Sequence, residues 1–193
     1  MRLQRLLPAL IAFVLVPASA APALAQYRRP VRQSFMRGYE LNPYITLNQY
    51  QDKTQLDDEI GAGFRFGYLY TPNHEIEFLL NSVTTNDSVF TSDNVTVTDF
   101  QLAYVYNFTK RDVVPYVTAG VGFVHTRDDD LGTESDFETA LGGGVRFFLG
   151  RAFFARIEAR RNFFTGRGRV YGDGEDFHND EFAFGVGWRF GAP

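Results

Sequence analysis

A chain of 193 residues without cysteine carries 20 Phe, 10 Tyr, 18 Gly and a formal net charge of −4. That length supports one domain, and the lack of thiols excludes disulfide frameworks, thiolate metal sites and cysteine nucleophiles. The acidic balance argues against nucleic acid as a partner, and an aromatic, glycine-rich composition suits an alternating sheet better than a bundle of apolar helices.

In residues 1–25, Arg2 and Arg5 precede an apolar stretch from Leu6 to Val16, and small residues then lead to Ala23, Leu24 and Ala25. This is the pattern of a secretory signal peptide with cleavage after Ala25. The stretch is shorter than the roughly 20 residues a spanning helix needs. Cleavage would remove two arginines and no acid, leaving a net charge of −6. Residues 26–38 hold four arginines and no acid and are expected to form a basic N-terminal arm; residues 39–193 are expected to form one barrel domain.

From there the chain reads with a period of two. Ile60, Ala62, Phe64, Phe66, Tyr68 and Tyr70 alternate with Gly61, Gly63, Arg65 and Gly67. Phe137, Leu141, Val145 and Phe147 alternate with Glu138, Ala140, Gly142, Gly144 and Arg146, and Phe182, Phe184, Val186, Trp188 and Phe190 with Glu181, Ala183, Gly185, Gly187 and Arg189. Each is a strand between two different solvents. Eight strands are predicted: 40–50, 59–70, 75–85, 95–108, 113–125, 136–149, 152–164 and 180–190. Connections at 71–74, 109–112 and 150–151 are tight, whereas 51–58, 86–94, 126–135 and 165–179 are longer and polar. The even-numbered strands start near Glu59, Thr98, Thr139 and Asp180, a hairpin repeat of about 40 residues that predicts an all-β, eight-stranded antiparallel up-and-down barrel.

Which face meets solvent follows from the glycines. A solvated exterior has little use for rows of glycine, whereas the narrow interior of an eight-stranded barrel needs small residues beside bulky ones. The glycine and charge parity is therefore assigned to the lumen, with Arg65, Glu77, Asp99, Arg146, Arg156, Glu158 and Arg189 as an ion-pair network; Glu75 and Arg160 share that parity. The apolar parity is assigned to lipid. Its aromatics form two bands, Tyr68, Tyr70, Tyr104, Tyr106, Phe108, Phe147 and Phe153 near the short turns and Phe90, Phe137, Phe163 and Phe182 near the long loops.

These strands, with the stretches 115–123 (PYVTAGVGF) and 185–190 (GVGWRF), resemble the small outer-membrane β-barrel family of Gram-negative bacteria, the OmpA-type and opacity-type, porin-like domains. The resemblance implies a cell outer membrane location, short periplasmic turns, longer extracellular loops, and outer-membrane lipid and lipopolysaccharide as surroundings. It also implies a last strand whose aromatics, here Phe182, Phe184, Trp188 and Phe190, are read by the barrel assembly machinery; Gly191, Ala192 and Pro193 following Phe190 depart from that pattern.

The fold hosts many functions. The expected function is membrane integrity or surface interaction by a largely plugged barrel whose acidic loops (Asp57 and Asp58; Asp128–Asp130 and Glu134; Asp173, Glu175 and Asp176) meet a surface ligand. No metal, cofactor or catalytic residue is assigned, and Arg161 on the lipid parity is a candidate for lipopolysaccharide phosphates. Three alternatives stay open: a small-solute or ion pore through gaps left by the glycines, a lipid-modifying enzyme using His178 with Asp176, and a soluble lipocalin-like barrel.

Overall fold

A computed structural model describes residues 37–50, 59–86, 94–109, 111–128, 132–150, 152–165 and 176–191. The expected signal peptide, most of the basic arm, Phe90 and the loop acids Asp57, Asp58, Asp129, Asp130, Asp173 and Glu175 lie outside them.

Eight strands, β1 (Gly38–Tyr50), β2 (Glu59–Thr71), β3 (His74–Asn86), β4 (Asn94–Asn107), β5 (Val113–Asp128), β6 (Gly132–Phe148), β7 (Phe153–Thr165) and β8 (Asp176–Phe190), pair in chain order, and β8 closes on β1. All pairings are antiparallel, so every backbone edge is satisfied within the wall, the condition for crossing lipid with strands. The seam runs from Tyr39↔Phe190 to Tyr50↔Asn179, with the pairing interrupted at Asn42 and Pro43, where proline has no N–H to donate.

The short turns are locally determined. Between β2 and β3, the His74 amide donates to Thr71 Oγ1 at 3.1 Å, and Asn73 and Asn107 exchange bonds of 2.7 and 2.8 Å. Between β6 and β7, Gly150 has φ of 141°, a conformation open to a residue without Cβ, and the Leu149 amide closes onto the Phe153 carbonyl at 2.9 Å.

The strands reach further toward the long-loop end than their composition suggests. β5 and β6 stay paired to Asp128↔Gly132, so the expected loop 126–135 shrinks to residues 129–131 and Glu134 belongs to β6. β7 and β8 pair to Thr165↔Asp176, so His178, expected in the last loop, is a strand residue opposite Phe163. Ser, Thr and Asp weaken a strand only modestly, and a ladder already in register carries them along.

The wall is inverted relative to a soluble protein. Ile60, Leu102, Phe123, Phe137, Leu141, Phe184, Val186 and Trp188 are exposed, whereas Arg65, Glu75, Glu77, Arg146, Arg156 and Glu158 are buried. Tyr70, Tyr104, Phe108 and Phe153 are exposed near the short turns, and Phe123, Phe137 and Phe163 near the other end, forming the two aromatic bands of a membrane interface.

Candidate functional site

The lumen is where the strands bring chemistry together. Its parity is set strand by strand: Glu40 from β1, Arg65 from β2, Glu75 and Glu77 from β3, Arg146 from β6, Arg156, Glu158 and Arg160 from β7, and Glu181 and Arg189 from β8 all turn inward and are buried.

Toward the short-turn end, Arg146 reaches three carboxylates, Glu75 at 2.8 Å, Glu77 at 2.7 Å and Glu40 at 3.5 Å. Oxygens of these three glutamates lie within 4.8 Å of one another, a spacing that also suits a metal ion, but the Arg146 guanidinium already reaches all three. Arg189 donates from Nε to Glu40 at 2.5 Å, and Arg156 holds Glu77 through two nitrogens. At mid-barrel Glu158 accepts from Arg65 at 2.9 Å, from Arg156 and Arg160 at 2.6 Å each, and from the Tyr116 hydroxyl at 2.7 Å. Aromatic faces complete the shells: Arg65 lies 3.9 Å over the Tyr44 ring, Arg156 4.5 Å over Tyr116, and Arg189 4.6 Å over Phe148. The chain of contacts runs unbroken from Arg189 through Glu40, Arg146, Glu77, Arg156 and Glu158 to Arg65 and Arg160.

Six of the seven side chains assigned to the network from sequence, Arg65, Glu77, Arg146, Arg156, Glu158 and Arg189, meet in this way. Asp99 does not. It lies higher in the barrel and accepts from Asn81 Nδ2 at 3.4 Å, within a belt of amides. There Gln101 joins Glu138 at 2.8 Å, Asn162 at 3.2 Å and Arg160 at 2.9 Å. Parity placed Asp99 in the lumen, but its height is set by barrel tilt, which carries it above the arginine and glutamate network into the amide belt. Sequence reading missed Glu40, although Glu40, Asn42, Thr46 and Asn48 share one parity against Leu41, Ile45 and Leu47, a signal of the same kind as in β2. Tyr44 and Tyr116 were missed because a tyrosine reads equally well as a lipid-facing aromatic.

Apolar clusters flank the charged network on both sides. Val114, Phe148 and Phe154 pack below the charges, and Val83, Val95, Val97, Val124, Phe164 and Phe177 above the amide belt. The glycine rows are occupied space rather than gaps. A Cβ at Gly63 would stand 2.5 Å from the Tyr44 hydroxyl, one at Gly144 2.5 Å from that of Tyr116, and one at Gly187 2.7 Å from Cε1 of the Phe154 ring. Bulky lumen side chains from neighbouring strands lie where the glycines leave room.

On the outer face, Arg161 donates to both oxygens of Asp180 at 2.6 Å. His125 Nδ1 and Ser135 Oγ lie 2.5 Å apart and exposed, and Asp176 accepts from Thr165 at 2.9 Å. Phe182, Phe184, Trp188 and Phe190 line the outer face of β8, with Trp188 stacked on Phe153 at 6.3 Å and Phe190 on Tyr39 at 5.8 Å.

A closed antiparallel barrel, apolar outside and charged within, is a transmembrane β-barrel. The sequence matches the outer membrane protein beta-barrel domain over residues 11–190; the chain belongs to that family, and the protein is an outer-membrane barrel. Its fold is similar to that of Neisserial surface protein A, with a TM-score of 0.61 at 13% identity over 81% of this chain and 98% of that one. OprG from Pseudomonas aeruginosa gives 0.51 at 12% identity over 81% and 96%. Ail from Yersinia pestis, solved in complex with the heparin analogue sucrose octasulfate, gives 0.50 at 14% identity over 80% and 97%. At these identities the likeness is one of fold alone. No curated protein matches the sequence.

Proposed function

We propose that this protein is a plugged, rigid outer-membrane barrel that contributes to membrane integrity and meets its partners through its surface and its acidic loops. The supporting observation is the lumen: an unbroken arginine and glutamate network packed against tyrosines and flanked by apolar clusters on both sides. Water and solute have no low-energy path through such packing, because each guanidinium would have to leave a carboxylate that its burial requires. Planar-bilayer recording on refolded residues 26–193, with insertion shown by protease protection, is therefore expected to be silent. Discrete, reproducible current steps would overturn this reading in favour of the pore.

The reading is non-catalytic. The one serine–histidine contact on the outer face, Ser135 with His125, has no carboxylate bonded to the imidazole among the described residues, and His178 and Asp176 share no hydrogen bond there. For the loops we place a cationic or metal-bridged partner, since their acids would repel a polysulfated ligand of the kind bound in the Ail structure.

In this reading the lipids are outer-membrane lipid and lipopolysaccharide, and the assembly machinery reads the β8 aromatics. Phe190→Ser is expected to cut the folded, membrane-inserted fraction in cells several-fold while leaving refolding into micelles nearly unchanged. An equal loss in both assays would assign Phe190 to barrel stability instead.

A further inference from the structure

The outer surface carries a hollow among the apolar side chains of β1, β7 and β8. Gly143 on β6 has no side chain and Ala159 on β7 has one methyl, and they are neighbours in register, as are Ala159 and Phe182. The depression they leave, about 240 Å³, is walled by Ile45, Ile157, Phe182 and Phe184. Two residues further toward the long-loop end on the same face stand Arg161, beyond Ala159, and Asp180, beyond Phe182, paired in register and bonded at 2.6 Å through Nε and Nη2. The Arg161 side chain is 42% exposed and that of Asp180 18%. Nη1 of Arg161 has no partner among the described residues. A second hollow lies nearer the short turns, lined by Leu41, Phe64, Val186 and Trp188.

An ionisable pair on the lipid-facing parity of a membrane barrel is a candidate functional site. We propose that this hollow is a lipid site that seats one acyl chain of a phosphorylated outer-leaflet lipid of the lipid A class, the lipid phosphate accepting from Arg161 Nη1. The guanidinium stands two residues nearer the long-loop end than the apolar hollow, the order in which such a lipid presents phosphate and chain. Asp180 takes two of the guanidinium's donors and holds its plane, leaving the third nitrogen for the ligand. Because the pair is neutral, the phosphate is held by directed hydrogen bonds rather than by net charge, and binding should survive salt that screens an exposed positive patch. The inference rests on the reading above that lipopolysaccharide is a partner and that the long-loop end faces outward.

The test is native mass spectrometry of the folded barrel in micelles, titrated with phosphorylated lipid A, with dephosphorylated lipid A and with phosphatidylethanolamine. Wild type is expected to retain one phosphorylated lipid A. Ala159→Leu, which fills the hollow, and Arg161→Gln are each expected to weaken retention at least tenfold. Arg127→Gln, removing an exposed arginine on β5, should leave it unchanged. Lipid A retained equally by all three variants would sink the site while leaving lipopolysaccharide as a partner. No retention by wild type would sink both readings. Equal retention of phosphatidylethanolamine or of dephosphorylated lipid A would remove the phosphate contact and overturn the assignment, as would a change of oligomeric mass in Ala159→Leu, which would give the hollow to a second copy of the chain. Gel mobility of unheated samples verifies that each variant is folded.

Discussion

Glu158→Leu is expected to lower the stability of the barrel by about 3–5 kcal/mol, the cost of leaving buried charges without their partner. Arg65, Arg156 and Arg160 converge on this carboxylate at 2.6–2.9 Å together with the Tyr116 hydroxyl, and all four charged side chains are buried. Without Glu158, Arg156 keeps Glu77, but Arg65 retains, besides the Tyr44 ring, Glu181 at 3.7 Å and the Asn42 amide oxygen at 3.3 Å. Glu158→Gln keeps an oxygen acceptor and should lose about half as much. On the outer face, Asp180→Asn breaks a partly exposed pair and should cost less than about 1 kcal/mol. Urea unfolding in micelles, read by the gel mobility of folded and unfolded forms, ranks the three. A Glu158→Leu midpoint no lower than that of Asp180→Asn would refute the network as a source of rigidity.

The second large effect lies at the short-turn end. Phe154 is buried against Phe148, their rings 5.3 Å apart, and it occupies the space that Gly187 leaves on β8. Phe154→Ala should cost about 3–5 kcal/mol through lost burial and the cavity left behind. Gly187→Val should cost about 1–3 kcal/mol by overpacking, since its Cβ would meet the Phe154 ring. In the double variant the new side chain enters the space the ring has left, so the two costs should fall well short of adding. A strictly additive double variant would mean that the ring and the glycine do not share that space.

Glycine rows carry two opposite meanings in sequence, water-filled gaps or clearance for neighbours, and composition cannot choose between them. Gly63 and Gly144 show which applies: each faces a tyrosine, Tyr44 and Tyr116, that comes from a different strand. The tyrosines were hard to place because their rings suit lipid or lumen equally; alternation with Glu40 and Asn42 and with Thr118 and Gly120 turns them inward, and the register of β1 on β2 and of β5 on β6 sets them beside those glycines. Glu40 was legible by the same alternation that revealed β2. The extension of β5 and β6 was not, because residues 126–135 have the composition of a loop, yet 126–128 and 132–135 are held as strand by their partners.

By itself the sequence determined the strand count, the hairpin repeat and the face each charged residue takes, because a period of two is local and a one-residue slip would turn the lumen arginines toward lipid. Tertiary structure alone decided which charges meet. Arg65 and Glu158 are 93 residues apart, and Arg189 and Glu40 are separated by 149. Their meeting depends on the tilt and stagger of a wall that closes only when β8 finds β1, and the same stagger lifts Asp99 into the amide belt and sets Arg161 with Asp180 above a hollow made by Gly143 and Ala159.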